Sequence, residues 1–114
     1  MKILFLDDER DANVVVNNYL DEECYPNKEI TQVYNYDEFV SWIKKNGVPD
    51  WIFFDHDLGE EKTGMDCAKW LVAKLEKEKK QIPNFSIQSA NPCGASNISS
   101  LLKCYEKFYN ENFR

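Results

Sequence analysis

The sequence predicts an α/β domain: a three-layer sandwich built on a four-stranded parallel sheet, in strand order 2-1-3-4. Three observations predict it. Four short apolar runs alternate with four helical patterns, and strands separated by helices need the crossover connections that make a sheet parallel and cover its faces. The third run, Trp51-Ile52-Phe53-Phe54, is apolar without alternation, as a strand buried on both faces requires. Acidic clusters follow directly on the first and third runs. If both serve one site, strands one and three are neighbours, and the site lies at the carboxyl edge where open sheets bind ligands.

Each element has its own justification. The first strand spans residues 2–6 or 2–7 and carries Ile3-Leu4-Phe5-Leu6. Residues 11–24 read as helix, with Val15, Val16, Tyr19 and Leu20 as the apolar stripe, although Val14-Val15-Val16 is a poor helical run on propensity. Residues 29–34 alternate less cleanly and, being short and polar, suit a sheet edge. Residues 37–46 carry Phe39, Val40 and Ile43 on one helical face and stop at Gly47, ahead of Pro49. After Trp51 to Phe54 comes a polar loop over residues 58–63, then a helix over 64–79 with Ala68, Leu71, Val72 and Leu75 facing inward. Its tail, Lys77-Glu78-Lys79-Lys80, sets positive charge at the favourable helix end and reads as a solvated terminus. Residues 85–89 form the fourth strand, and the last helix presents Ile98, Leu101, Leu102, Tyr105 and Phe108 at helical spacing.

Composition narrows the function classes. At 114 residues, 43% of them hydrophobic, the chain is read as one domain with a single modest core. Fourteen Lys and Arg against 20 Asp and Glu leave a net charge of −6, which disfavours extended binding to a nucleic-acid backbone. A single phosphate held through a metal remains compatible with that charge. No apolar run approaches the ~18 residues of a membrane span, and Met1-Lys2 leads into a strand rather than a signal peptide, so the expected location is cytoplasmic. Cys24, Cys67, Cys93 and Cys104 are far apart and His56 is the single histidine, so zinc-ligand spacing is missing and reduced core thiols are expected, with Cys93 set apart in the loop 91–94.

Three constellations carry chemistry. Asp7-Asp8-Glu9 and Asp55-His56-Asp57 sit at the ends of strands one and three. Carboxylates converging there repel one another unless a cation or proton lies between them. Magnesium takes oxygen ligands and keeps several waters, so Asp7, Asp8 and Asp55 suffice for Mg2+ or Mn2+, with Asp57 as a further candidate. An acidic rim, or helix-capping by the first cluster, is the plainer alternative. Histidine is the side chain whose unperturbed pKa lies near neutrality, which makes His56 the candidate general acid or base, although it would equally serve as a structural histidine between strand and helix. The third segment, Ser89-Ala90-Asn91-Pro92-Cys93-Gly94, offers a hydroxyl, an amide and the N–H groups of a helix start at the same edge. Such a helix start binds phosphate, though Ser and Asn are also ordinary turn and cap formers. Arg10 and Lys62 would add positive charge on the substrate side.

Asp7-Asp8, Asp55 and Ser89 resemble the acidic pocket, phosphoryl-acceptor aspartate and hydroxyl residue of response-regulator receiver domains. The flavodoxin-like receiver fold has a fifth strand ending in a lysine, for which this sequence leaves no counterpart. The motifs Leu6-Asp7-Asp8-Glu9-Arg10, Asp55-His56-Asp57-Leu58-Gly59 and Ser89-Ala90-Asn91-Pro92-x-Gly94 resemble more closely the compact cyclic-phosphate processing receiver domains. That resemblance implies a metal-dependent site for phosphate esters, such as cyclic phosphates of RNA ends or nucleotides. Asp55 and His56 would act catalytically and Ser89, Asn91, Gly94 and Arg10 would hold phosphate. The family commonly has histidine just before the serine, where this chain has Gln88. Two readings follow: a small phosphoesterase, or a non-catalytic module, either a divergent receiver or a binder of a nucleotide or protein.

Overall fold

A computed structural model describes residues 1–55, 63–87 and 92–113. The elements run β1 (Lys2–Leu6), α1 (Ala12–Tyr19), β2 (Glu29–Val33), α2 (Tyr36–Asn46), β3 (Trp51–Phe54), α3 (Gly64–Glu78), β4 (Asn84–Ile87) and α4 (Pro92–Asn112). The four strands form one parallel sheet in the order β2-β1-β3-β4, as expected. No fifth strand is present among the described residues.

The pleat divides the apolar residues between two cores, because successive side chains of a strand point to opposite faces. Leu4, Leu6, Ile52 and Phe54 point to one face and meet Phe39 and Ile43 of α2, Cys67, Leu71 and Leu75 of α3, and Ile98 and Leu102 of α4. Ile3, Phe5 and Phe53 point to the other, against Ala12 and Val16 of α1 and against Leu20. Among the described residues three helices therefore cover one face and one short helix the other, giving the three layers. Each fully buried Leu, Ile or Phe contributes about 1.5–3 kcal/mol. The larger core beneath α2, α3 and α4 thus supplies most of the hydrophobic driving force, and α1 is the lightly held element.

Aromatic rings thicken the thin face. Tyr19 is 57% exposed yet sets its ring edge against Trp51 and Phe53, at centroid distances of 6.2 and 5.7 Å. Tyr25 approaches Trp51 edge-on at 6.0 Å, and Trp51 donates its indole N–H to Ser86 Oγ at 3.3 Å.

Boundaries shift where side chains compete with the helix. α1 ends at Tyr19 instead of continuing to residue 24. Leu20 closes it by donating its N–H to Val16 O, and the Asp21 side chain then accepts the Cys24 N–H at 2.7 Å, starting a separate turn. An aspartate that bonds its own downstream backbone offers an alternative to the helical ladder. β4 begins at Asn84, one residue earlier than expected. α4 begins at Pro92, so Cys93 and Gly94 lie in its first turn and do not precede it. Proline suits that first position because its missing N–H is one the helix leaves unpaired in any case. Phe108, expected inward, is 38% exposed and packs on Tyr105 and Phe113. Among the described residues no helix is long and apolar enough to cross a membrane.

Gly47 closes α2 by donating to Ile43 O at 2.8 Å, with φ +86° and ψ −179°. That backbone region is essentially restricted to glycine, and a Cβ there would meet nothing within 4 Å. The cost of a side chain is therefore conformational and not steric. Gly47→Ala should lower stability by about 1–3 kcal/mol, read as a reduced urea midpoint with an unchanged slope.

Candidate metal and phosphate site

The parallel register sets the first part of the site. Leu4 pairs with Ile52 and Phe5 with Phe53, so continuing both strands by two residues brings Asp7 level with Asp55. Asp8 joins them: one carboxylate oxygen from each of Asp7, Asp8 and Asp55 lies within 4.8 Å of the others. Asp7 is fully buried and Asp55 nearly so, at 4% exposure, while Asp8 is half-buried. At an effective dielectric constant near 20, two unit charges this far apart repel by roughly 3 kcal/mol. Such a cluster is relieved by a cation or a proton between its members.

Part of the compensation comes from the chain. Asp7 Oδ1 accepts the backbone N–H groups of Glu9 at 2.8 Å and Arg10 at 3.0 Å, and Asp7 Oδ2 accepts Arg10 Nη1 at 2.9 Å. The hydrogen bond to Asp7 is the largest influence raising the Arg10 pKa above its ordinary value; burial opposes it, and the charges of Asp7, Asp55 and Glu9 add to the rise. One guanidinium against three carboxylates still leaves negative charge in excess among these groups. Hard oxygen donors, largely buried and clustered at this distance, fit a divalent cation such as Mg2+, which needs few protein ligands.

Gln32 was not singled out in the sequence, and it holds this loop in place. Its Nε2 donates to Asp7 O at 3.1 Å and Arg10 O at 2.7 Å, while its Oε1 accepts the Ala12 N–H at 3.1 Å. One amide thus ties β2 to both ends of the acidic turn, and Asp7 N–H adds a bond to Val33 O at 3.1 Å. The available signal was a polar residue in phase with Ile30 on a strand, where alternation calls for an apolar side chain. Asp11 completes the connection by capping α1, accepting the Val14 N–H at 3.2 Å.

The remaining candidates divide in two. Gly94 is buried in the first turn of α4, beyond the C-terminal end of β4, and Arg10 contacts Asp7 directly. His56, Asp57, Lys62, Gln88, Ser89 and Asn91 lie outside the described residues. All four cysteines are free thiols, but only Cys67 is the core thiol expected; Cys24 and Cys104 are exposed, as is Cys93.

The cyclic-phosphate processing receiver domain family matches residues 2–104. The chain belongs to that family. Among solved structures similar to this receiver-like domain is the response regulator protein TrrA from Thermotoga maritima, in complex with Mg2+-BeF. It is 23% identical, with a TM-score of 0.63 over 89% of this chain and 79% of that one. The NtrX receiver domain from Brucella abortus is 17% identical, with a TM-score of 0.53 over 92% and 98% of the two chains. The receiver domain of the Francisella response regulator 1452 is 17% identical, with a TM-score of 0.53 over 96% and 97%. These likenesses establish the receiver fold. No curated protein sequence matches the chain.

If Gln32 positions the acidic turn, Gln32→Ala should leave two carbonyls and one N–H without their partner and cost about 1–3 kcal/mol. The melting temperature should fall while the far-ultraviolet circular dichroism of the folded protein stays unchanged.

Proposed function

We propose that this receiver-like domain is a divalent-metal-dependent phosphoesterase acting on a phosphate ester, with cyclic phosphates of nucleotides or RNA ends as the substrate class. The observation that carries the reading is the convergence of Asp7, Asp8 and Asp55 in a member of the cyclic-phosphate processing receiver family. Asp7, Asp8 and Asp55 would hold Mg2+ or Mn2+, with Asp57 as an additional ligand. When bound, the cation supplies Lewis-acid stabilisation of charge on the phosphoryl oxygens.

The chain's own groups do the rest. Ser89 and Asn91 donate hydrogen bonds to phosphate oxygens, and the first turn of α4, where Gly94 sits, favours an anion through its N–H groups and dipole. Pro92 contributes no N–H, so the donors of that turn begin at Cys93. His56 takes a proton from the attacking water or returns one to the leaving oxygen. The products of a cyclic ester would be a phosphomonoester and the freed hydroxyl, with one water consumed. The net charge of −6 favours a small phosphate compound or the end of an RNA over a long duplex.

A specific observation favours a second reading. Gln88 stands where the family commonly has histidine, so proton transfer rests on His56 alone. A divergent receiver accepting a phosphoryl group on Asp55, or a module that binds a phosphate compound or protein partner without turnover, needs no second histidine.

The discriminating experiment offers 2′,3′-cyclic, 3′,5′-cyclic and linear phosphates with Mg2+ or Mn2+. The phosphoesterase reading expects turnover that Asp55→Asn abolishes and His56→Ala lowers by about 10²–10⁴-fold. An adduct on Asp55 after incubation with acetyl phosphate, without ester turnover, would establish the receiver instead. Thermal stabilisation by a phosphate compound without product would establish a binder.

A further inference from the structure

Asp7 has few acceptor directions left. Its Oδ1 already takes two backbone N–H groups, from Glu9 and Arg10, and its Oδ2 takes the Arg10 guanidinium at 2.9 Å. The backbone bonds belong to the turn that Gln32 fixes and are not easily given up. The side-chain bond is different in kind. Arg10 has 40% of its side chain exposed, whereas the Asp7 side chain is fully buried, so the guanidinium reaches the carboxylate from the solvent side. Its exposed flank gives the guanidinium a route to water.

Resting on the metal reading of the site, we propose that Arg10 is an internal counter-cation that a divalent ion displaces from Asp7 Oδ2, and that the released guanidinium then faces the phosphate. A divalent ion and a guanidinium on the same buried oxygen repel each other and so compete for it, and the oxygens of Asp8 and Asp55 that would complete a metal site lie within 4.8 Å of Asp7. A guanidinium leaving this place stays tethered by its own backbone N–H to Asp7 Oδ1. It remains at the mouth of the site, where its planar fork suits a phosphate oxygen pair. Metal and phosphate would then bind with positive coupling. The cation pays for its own entry by expelling Arg10, and the expelled Arg10 strengthens the anion site. Linkage makes the effect reciprocal, so phosphate must raise metal affinity by the same factor.

Magnesium binding is measured by calorimetry on the parent, Arg10→Gln and Arg10→Lys, with and without inorganic phosphate. Arg10→Gln should bind Mg2+ more tightly by about tenfold, within the range of coupled sites, and should lose most of the phosphate enhancement. Arg10→Lys, which keeps the charge, should stay near the parent in metal affinity. Equal or weaker Mg2+ binding by Arg10→Gln, with the parent binding normally, would overturn the proposal and leave the metal site intact. Failure of all three proteins to bind Mg2+ would overturn both. A second measurement needs no variant: the Arg10 side-chain nitrogen resonances of the parent should shift on saturation with Mg2+, and resonances that stay fixed at saturation would refute displacement.

Discussion

The architecture turns on one buried carboxylate. Asp7 lies at the end of the central strand β1, fully out of contact with water, with Asp8 and Asp55 beside it. Isolating a charge there costs several kcal/mol even after the protein relaxes, and two further carboxylates add to the cost. The structure offsets it with two backbone N–H bonds and a guanidinium, each a charge-assisted bond stronger than a neutral one. Because Oδ1 serves the turn and Oδ2 the Arg10 guanidinium, the same side chain fixes the loop geometry and holds the compensating charge.

Everything that delivers Asp7 to that point is set by the sheet. Parallel pairing of β1 with β3 brings the two acidic ends level, and β2 on the other side contributes Gln32, whose amide holds the turn after Asp7. The heavy core under α2, α3 and α4 anchors β1 and β3 from one face. Among the described residues the lighter face carries one helix, α1, capped by Asp11 and shortened by the Asp21 turn. The candidate site therefore rests on the most firmly held strands and borders the least firmly held helix.

Much of this was legible in the sequence because it follows from periodicity and burial. The unalternating run Trp51 to Phe54 marked a central strand, and the acidic residues after two such runs implied that those strands are neighbours; the observed order β2-β1-β3-β4 agrees. The convergence of Asp7, Asp8 and Asp55 was foreseeable for the same reason. Gln32 was not, since one polar residue on a weak edge strand looks like solvent exposure until the turn it holds is known. The pairing of Arg10 with Asp7 was equally hidden. An arginine three residues from an aspartate can face substrate or partner, and only the fold of the turn decides which. The early end of α1 depended on a side-chain bond from Asp21 that propensity does not weigh, and Pro92 opened the last helix two residues ahead of Gly94.

The central claim is that the cation belongs between β1 and β3 and nowhere else on a surface rich in carboxylates. Substoichiometric Mn2+ added to the isotopically labelled protein tests it in one nuclear magnetic resonance spectrum, since a bound paramagnetic ion broadens the amides around it. The account predicts that the signals of Leu6 to Arg10 and of Phe54 and Asp55 vanish first. Earlier or equal broadening around the exposed acidic residues Glu22, Glu23 and Glu76 would contradict it.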